Sequence, residues 1–192
     1  MKITDIYKEL FYKRRSRRAL LDRKVERDKL KRMLDAARWA PSCSNNQPWY
    51  FVVIDEKESL EKAHEALWDG NYWVKGAPVL VAPVTEKELG CHLKDGRYSY
   101  LFDLGLAVEN LILAGVSEEL IVHPIIGFDP DKIRSALQIP DSFEVPFLIV
   151  IGYEGTLDGL SDKHKEGEVT ERERKVFDDI VFWNGWEEKE SD

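Results

Sequence analysis

A fold that mixes helices and strands is predicted by three observations. Apolar residues recur at helical spacing in several separate stretches. Four short runs, 49–54 (WYFVVI), 79–84 (VLVAPV), 121–126 and 145–151 (VPFLIVI), are continuous and apolar, as buried strands are. Between them lies residues 98–116, a stretch apolar nearly all round, which reads as a helix covered on every side.

Each element has a local reason. Ile3, Ile6, Tyr7, Leu10 and Phe11 lie at helical spacing and predict a first helix ending near Lys13 or Arg14. Val25, Leu30, Met33, Leu34 and Ala37 form the apolar stripe of a second helix, closed by Pro41. Residues 42–48 (SCSNNQP) are turn formers with short polar side chains, leading into the first strand. Residues 57–68 read as a helix that Gly70-Asn71 breaks. Pro83 marks an end or an edge of the second strand. The helix at 98–116 carries Leu101, Phe102, Leu104, Leu106, Val108, Leu111, Ile112 and Leu113, and a subunit interface is a natural cover for it. After the strand at 121–126, Asp129-Pro130 supplies an N-cap followed by proline at the first helical position, with Ile133 and Leu137 turned inward. Residues 154–175 are polar and without regular periodicity. Val176, Phe177, Ile180, Val181, Phe182, Trp183 and Trp186 then form a tail too apolar to stay solvated, which packs back on its own domain or across a partner.

The 192 residues fit one domain, taken as 1–192 with 154–192 as a C-terminal arm. The net charge of −8 argues against a general nucleic-acid binder. No apolar run approaches the roughly 20 residues of a membrane span. The N-terminal MKITDIYKEL lacks the apolar core of a secretory signal, and a cytoplasmic protein is expected. Cys43 and Cys91 are too few for a disulfide scaffold or a four-cysteine zinc site. His64, His92, His123 and His164 show neither HExxH nor HxH spacing, so no metal site is expected. GxGxxG after a strand, GxxxxGK[ST] and GxSxG are all absent.

The charge is unevenly spread. Residues 1–32 hold 13 Lys/Arg against 5 Asp/Glu in an otherwise acidic chain. Arg14-Arg15-Ser16-Arg17-Arg18 sits at a helix exit. Guanidinium forks at this density suit phosphate oxygens, with Ser16 as a further donor; a basic surface turn fits the composition equally well. Residues 40–49 (APSCSNNQPW) place amide and hydroxyl groups beside a core strand, where they either bond the edge of a polar ring system or form an ordinary turn. A nucleophilic Cys43 has no histidine implied beside it. Residues 124–130 (PIIGFDP) end a strand, and Gly127 permits close backbone approach there.

In order along residues 6–152, RRSxR, APSxxNxQPW and PxxGFDPxKxRxxLxIP resemble the nitroreductase family of FMN-dependent oxidoreductases. The resemblance implies an α+β fold of three layers, α-β-α, with a central mostly antiparallel sheet in an intertwined homodimer. It implies tightly bound FMN in the dimer interface and NAD(P)H as a transient electron donor. It implies that Arg14, Arg15, Ser16 and Arg18 hold the phosphate and the pyrimidine edge of the ring. Pro41, Ser42, Cys43 and Asn45 would come from the other subunit, and Asn71 would face the ring's polar edge. Pro124, Ile125, Ile126 and Gly127 would run beside the ring, the Ile126 N–H near flavin N5. Arg172 and Arg174 would reach the phosphate, and Tyr98, Tyr100 and Phe102 would line the substrate mouth. No side chain need act as acid or base, because the flavin carries the hydride. The implied activity is ping-pong reduction of nitroaromatics, quinones or related electron-poor small molecules; the alternative is a flavin-binding protein of the same fold without nicotinamide-driven turnover. Neither nucleic acid nor membrane is an expected partner. The chain departs from the family pattern at Ile126, where many relatives have glycine, at Glu118-Glu119-Leu120, and at Val176.

Overall fold

The computed structural model describes residue 5 and residues 7–186; Ile3 and Ile6, expected in the first helix, lie outside them. Four strands, β1 (Tyr50–Ile54), β2 (Val79–Val84), β3 (Ile121–Ile125) and β4 (Leu148–Gly152), form one sheet in the order β1-β2-β4-β3. Every neighbouring pair is antiparallel. The α-helices bounded among the described residues are α1 (Arg27–Arg38), α2 (Lys57–His64), α3 (Tyr100–Ser117), α4 (Pro130–Leu137) and α5 (Asp162–Val169). A π-helical turn, Tyr7–Tyr12, precedes α1.

β2 and β4 are buried along their whole length, so they read as unbroken apolar runs while alternate residues serve opposite faces. Leu80, Ala82, Val84, Leu148 and Val150 face one core, with α2, α4 and the turn Asp69–Gly76 over them. Val79, Val81, Ile149 and Ile151 face the other, under α1 and α3. The result is three layers, α-β-α. α3 packs unusually close: a Cβ on Gly115 would stand 2.3 Å from Val122 Cγ2 and 2.8 Å from Met33 Cε. Pro83 lies inside a central strand. It is tolerated there because β4 pairs only with Val79, Leu80 and Val81, leaving no ladder partner on that side for the missing N–H.

Several boundaries moved for identifiable reasons. The helix expected over 57–68 stops at His64, since Leu67 bridges to Phe128 and the Trp68 N–H donates to the Gly127 carbonyl. The last strand begins at Leu148, after Pro146, which has no N–H for a ladder. α4 is capped as expected: the Asp129 carboxylate accepts from the Asp131 and Lys132 N–H groups. α3 is long and apolar enough to cross a membrane, yet Leu104, Ala107, Val108, Leu111 and Ile112 are buried in the core. At its start Leu101 and Phe102 stay open within the chain, 45% and 69% exposed. The expectation of a helix covered on every side is therefore unmet by one chain alone. In the tail, Val176, Phe177, Ile180, Trp183 and Trp186 are likewise exposed.

Candidate functional site

The segment Arg14 to Arg18 is irregular, and its side chains meet different partners. Contacts, not position in the segment, distinguish the five residues. Lys13, Arg15 and Arg17 line a cavity of about 270 Å³ with Glu119 and Glu154. Arg15 donates to the carbonyls of Gly167 and Thr170 on α5 and just beyond it. Arg17 pairs with Glu154 at 3.2 Å and approaches the buried Glu168 at 3.8 Å. The guanidiniums of Arg14 and Arg18 have no carboxylate partner among the described residues, and Arg18 Nη1 lies 4.0 Å from where a Cβ on Gly167 would stand. Arg14 bonds the Ser16 hydroxyl at 3.0 Å. The Arg18 guanidinium stands 5.9 Å from the centre of the Trp73 ring, while its backbone N–H donates to Glu168.

The surroundings of Arg14 and Arg18 come from four places in the chain. His123 on β3 is 8% exposed, packs on Trp73 at 4.7 Å and bonds the Arg17 carbonyl through Nδ1 at 2.9 Å. Burial, with the nearby Arg18 and Arg14 charges, lowers its pKa to about 4, so it is neutral at pH 7. That carbonyl is an acceptor, so Nδ1 carries the proton. His164 on α5 stacks on Tyr72 and bonds its hydroxyl at 3.0 Å; burial and Arg18 hold its pKa below the ordinary histidine value. The Ser161 N–H donates to the same hydroxyl. Asn71 Nδ2 donates to the Gly127 carbonyl at 2.8 Å, and a Cβ on Gly127 would meet that nitrogen at 2.6 Å, so glycine is required for the contact. Next to it, the Ile126 side chain is 78% exposed. Arg14 and Arg18 thus lie near His123 of β3, Arg18 by Trp73, and Asn71 is bonded to Gly127 just after β3.

Arg172 is used differently. It donates to the carbonyls of Phe11, Tyr12 and Arg14, closing the end of the opening helical turn. Desolvation, then repulsion from Arg14, Arg174 and Arg15, holds its pKa below the usual arginine value. With Arg174, Phe11 and Tyr12 it lines a cavity of about 400 Å³. Arg174 itself bonds the adjacent Glu173 carbonyl.

The second predicted loop lies apart. Pro41, Ser42, Cys43 and Asn45 precede β1, at the end of the sheet where Tyr50 pairs with Val84. Residues 124–127 leave the sheet at the same end but beside the opposite edge strand. Three strand spacings of roughly 4.8 Å separate these edges, about 14 Å in all. The Ser42 hydroxyl accepts from the Gln47 N–H, and the Cys43 N–H donates to Asp103. Cys43 has no free thiol: it is disulfide-bonded to Cys91, a pairing the sequence reading did not make. This removes the nucleophilic reading of Cys43. Tyr98 lies against His92, with Lys87 Nζ 4.0 Å from its ring centre; Tyr100 donates to Glu144, and burial first and Glu144 second raise its pKa.

Sequence reasoning missed Asp103, His123, Trp73, Glu168 and α5. Asp103 carried a usable signal, being the one acid in the first two turns of an apolar helix, and it is 2% exposed. A separate cavity of about 640 Å³, lined by Lys24, Lys57, Lys75, Asp55 and His64, includes none of the predicted residues.

Residues 12–71 match the profile of the nitroreductase family. A protein of Methanothermobacter thermautotrophicus, provisionally named NADH dehydrogenase/NAD(P)H nitroreductase, is 31% identical over 155 residues, covering 78% of each chain. A solved oxidoreductase containing FMN superimposes with a TM-score of 0.82 at 31% identity, over 93% of this chain and 92% of that one. An FMN-dependent nitroreductase from Clostridium difficile gives a TM-score of 0.68 at 25% identity, over 90% and 96%. With its antiparallel four-stranded sheet between helical layers and this degree of likeness, the chain belongs to the nitroreductase family.

Proposed function

We propose that this protein is an FMN-dependent oxidoreductase that uses NAD(P)H to reduce nitroaromatics, quinones or related electron-poor acceptors. The observation that carries the reading is the pair Arg14 and Arg18, whose guanidiniums have no carboxylate partner among the described residues and lie near the neutral His123. A phosphate monoester with nearly two negative charges matches two such guanidiniums and the Ser16 hydroxyl. Neutral His123 adds packing on Trp73 without adding charge. Arg172 fixes the backbone on which Arg14 is mounted. Asn71 spends one N–H on Gly127, and its side-chain oxygen is left to accept from the pyrimidine edge.

When bound, FMN supplies two-electron redox chemistry, taking hydride from the nicotinamide and delivering reducing equivalents to the acceptor. The chain orients the ring, excludes water and offers one open face that donor and acceptor use in turn, which gives ping-pong kinetics. The separation of the 41–45 loop from the Arg14–Arg18 side within one chain supports a homodimer in which each loop serves its partner's flavin. The open side of α3 around Phe102 and the apolar residues 176–186 supply the buried surface, the arm crossing to the partner. We assign the dimer to the cytoplasm.

Purified protein incubated with FMN and desalted should stay yellow and bleach anaerobically on addition of NADH or NADPH. A colourless product would reject flavin binding, and a yellow protein inert to both nucleotides would reject the reductase.

A further inference from the structure

We propose that the Cys43–Cys91 bond is a reversible thiol-exchange site that latches the 42–47 loop onto the start of α3. The loop is held in an expensive conformation. Ser44, Asn45 and Gln47 have φ values of 52°, 57° and 51°, the left-handed region that glycine favours, yet none is glycine. Such a conformation persists only where the surroundings over-determine it. Apart from hydrogen bonds within the loop, such as the Gln47 N–H to Ser42 Oγ, the fastenings of Cys43 converge on one place. The Cys43 N–H donates to Asp103 Oδ1 at 3.3 Å; the Ser99 hydroxyl donates to Asp103 Oδ2 at 2.8 Å and accepts from the Cys91 N–H at 2.9 Å. The disulfide closes the same ring covalently. Asp103 is buried and belongs to the core helix, so opening the disulfide frees the loop while α3 stays in place.

The bond is open to small thiols. Both cysteines are only half-buried, and Ser44, Asn45, Asn46 and Gln47 are exposed. Its two sulfurs are unequal. Ser44 Oγ lies 3.6 Å and Asn46 Nδ2 4.0 Å from Cys91 Sγ, two donors placed to stabilise a thiolate there. At Cys43 the polar contact is the backbone N–H to Asp103, and no such donor is aimed at its sulfur among the described residues. The better leaving thiolate departs. An incoming thiolate therefore bonds to Cys43 and releases Cys91 as thiolate; a second thiol attacks the mixed disulfide, giving two protein thiols and one small-molecule disulfide. The consequence for activity rests on the function proposed above, since that loop would meet the flavin; the latch itself does not.

The test uses the full chain without added flavin, so its failure is distinguishable from failure of the enzymatic reading. Hydrogen exchange is followed on oxidised and dithiothreitol-reduced protein, and brief glutathione exposures are acid-quenched, alkylated and mapped. Reduction should speed amide exchange in residues 43–47 at least tenfold while β2 is unchanged, and glutathione should appear on Cys43 with Cys91 alkylated. Cys91→Ser should show the fast loop with or without reductant. Equal loop exchange in both redox states, two free thiols in air-oxidised protein, glutathione on Cys91, or a slow loop in Cys91→Ser would each overturn the proposal.

Discussion

His123 makes the folded protein sensitive to mild acid, and the size of the effect follows from its surroundings. Its pKa falls from an unfolded value of 6.5 to about 4, because burial against Trp73 first, and the Arg18 and Arg14 charges after it, oppose a second positive charge. The sign follows from proton uptake. Between pH 6.5 and 4 the unfolded chain binds a proton at this histidine that the folded chain refuses, so stability is full above 6.5 and falls as pH drops towards 4. The single-site linkage relation gives a loss of about 2 kcal/mol at pH 5 and about 3 kcal/mol at pH 4. His123→Asn removes the titration and leaves an amide that can donate to the Arg17 carbonyl. Urea denaturation of both proteins from pH 7.5 to 4 isolates the effect, since His64, His164 and the carboxylates titrate in both. The wild type should lose about 2–3 kcal/mol more than the variant. Parallel pH profiles would refute the neutral, buried assignment of His123.

Other consequences are open to direct measurement. Asp129→Ala removes the side chain that accepts from two N–H groups at the start of α4 and should cost about 1 kcal/mol in urea denaturation. Gly115→Ala drives a methyl into Val122 and Met33 and should cost about 1–3 kcal/mol; an unchanged midpoint would mean the α3 packing is looser than described. Asp103→Ala leaves the Cys43 N–H and the Ser99 hydroxyl without their acceptor and should cost about 1–3 kcal/mol, with the loss read by thermal melting. Truncation after Lys175 should weaken the proposed dimer in sedimentation; an unaltered association constant would remove the arm from the interface.

Much of the fold was readable where a signal is local. The run VLVAPV is β2 residue for residue, and Asp129-Pro130 capped its helix as expected, since both depend on neighbours in sequence. α5 was invisible for the opposite reason: its sequence has almost no apolar stripe. The helix is held by its Ser161 cap and by Arg15 and Arg17, which reach carbonyls near its C-terminal end from more than 150 residues away. The basic cluster was legible as charge but not as geometry. Which of the arginines meet carbonyls and carboxylates depends on residues 154–170, far along the chain, to which charge counting has no access. The Cys43–Cys91 pairing was equally closed to inspection, because it depends on α3 bringing two loops to one buried aspartate.

The most direct measurement of the central claim is calorimetric titration of the wild type, Arg14→Ala and Arg18→Ala with FMN and, separately, with riboflavin, which lacks the phosphate. Wild type should bind FMN far more tightly than riboflavin. Each substitution should weaken FMN by about 1–3 kcal/mol, roughly 5- to 150-fold, and leave riboflavin affinity unchanged. Equal wild-type affinity for the two flavins, or variants that bind FMN as well as the wild type, would contradict the assignment of these arginines to the phosphate.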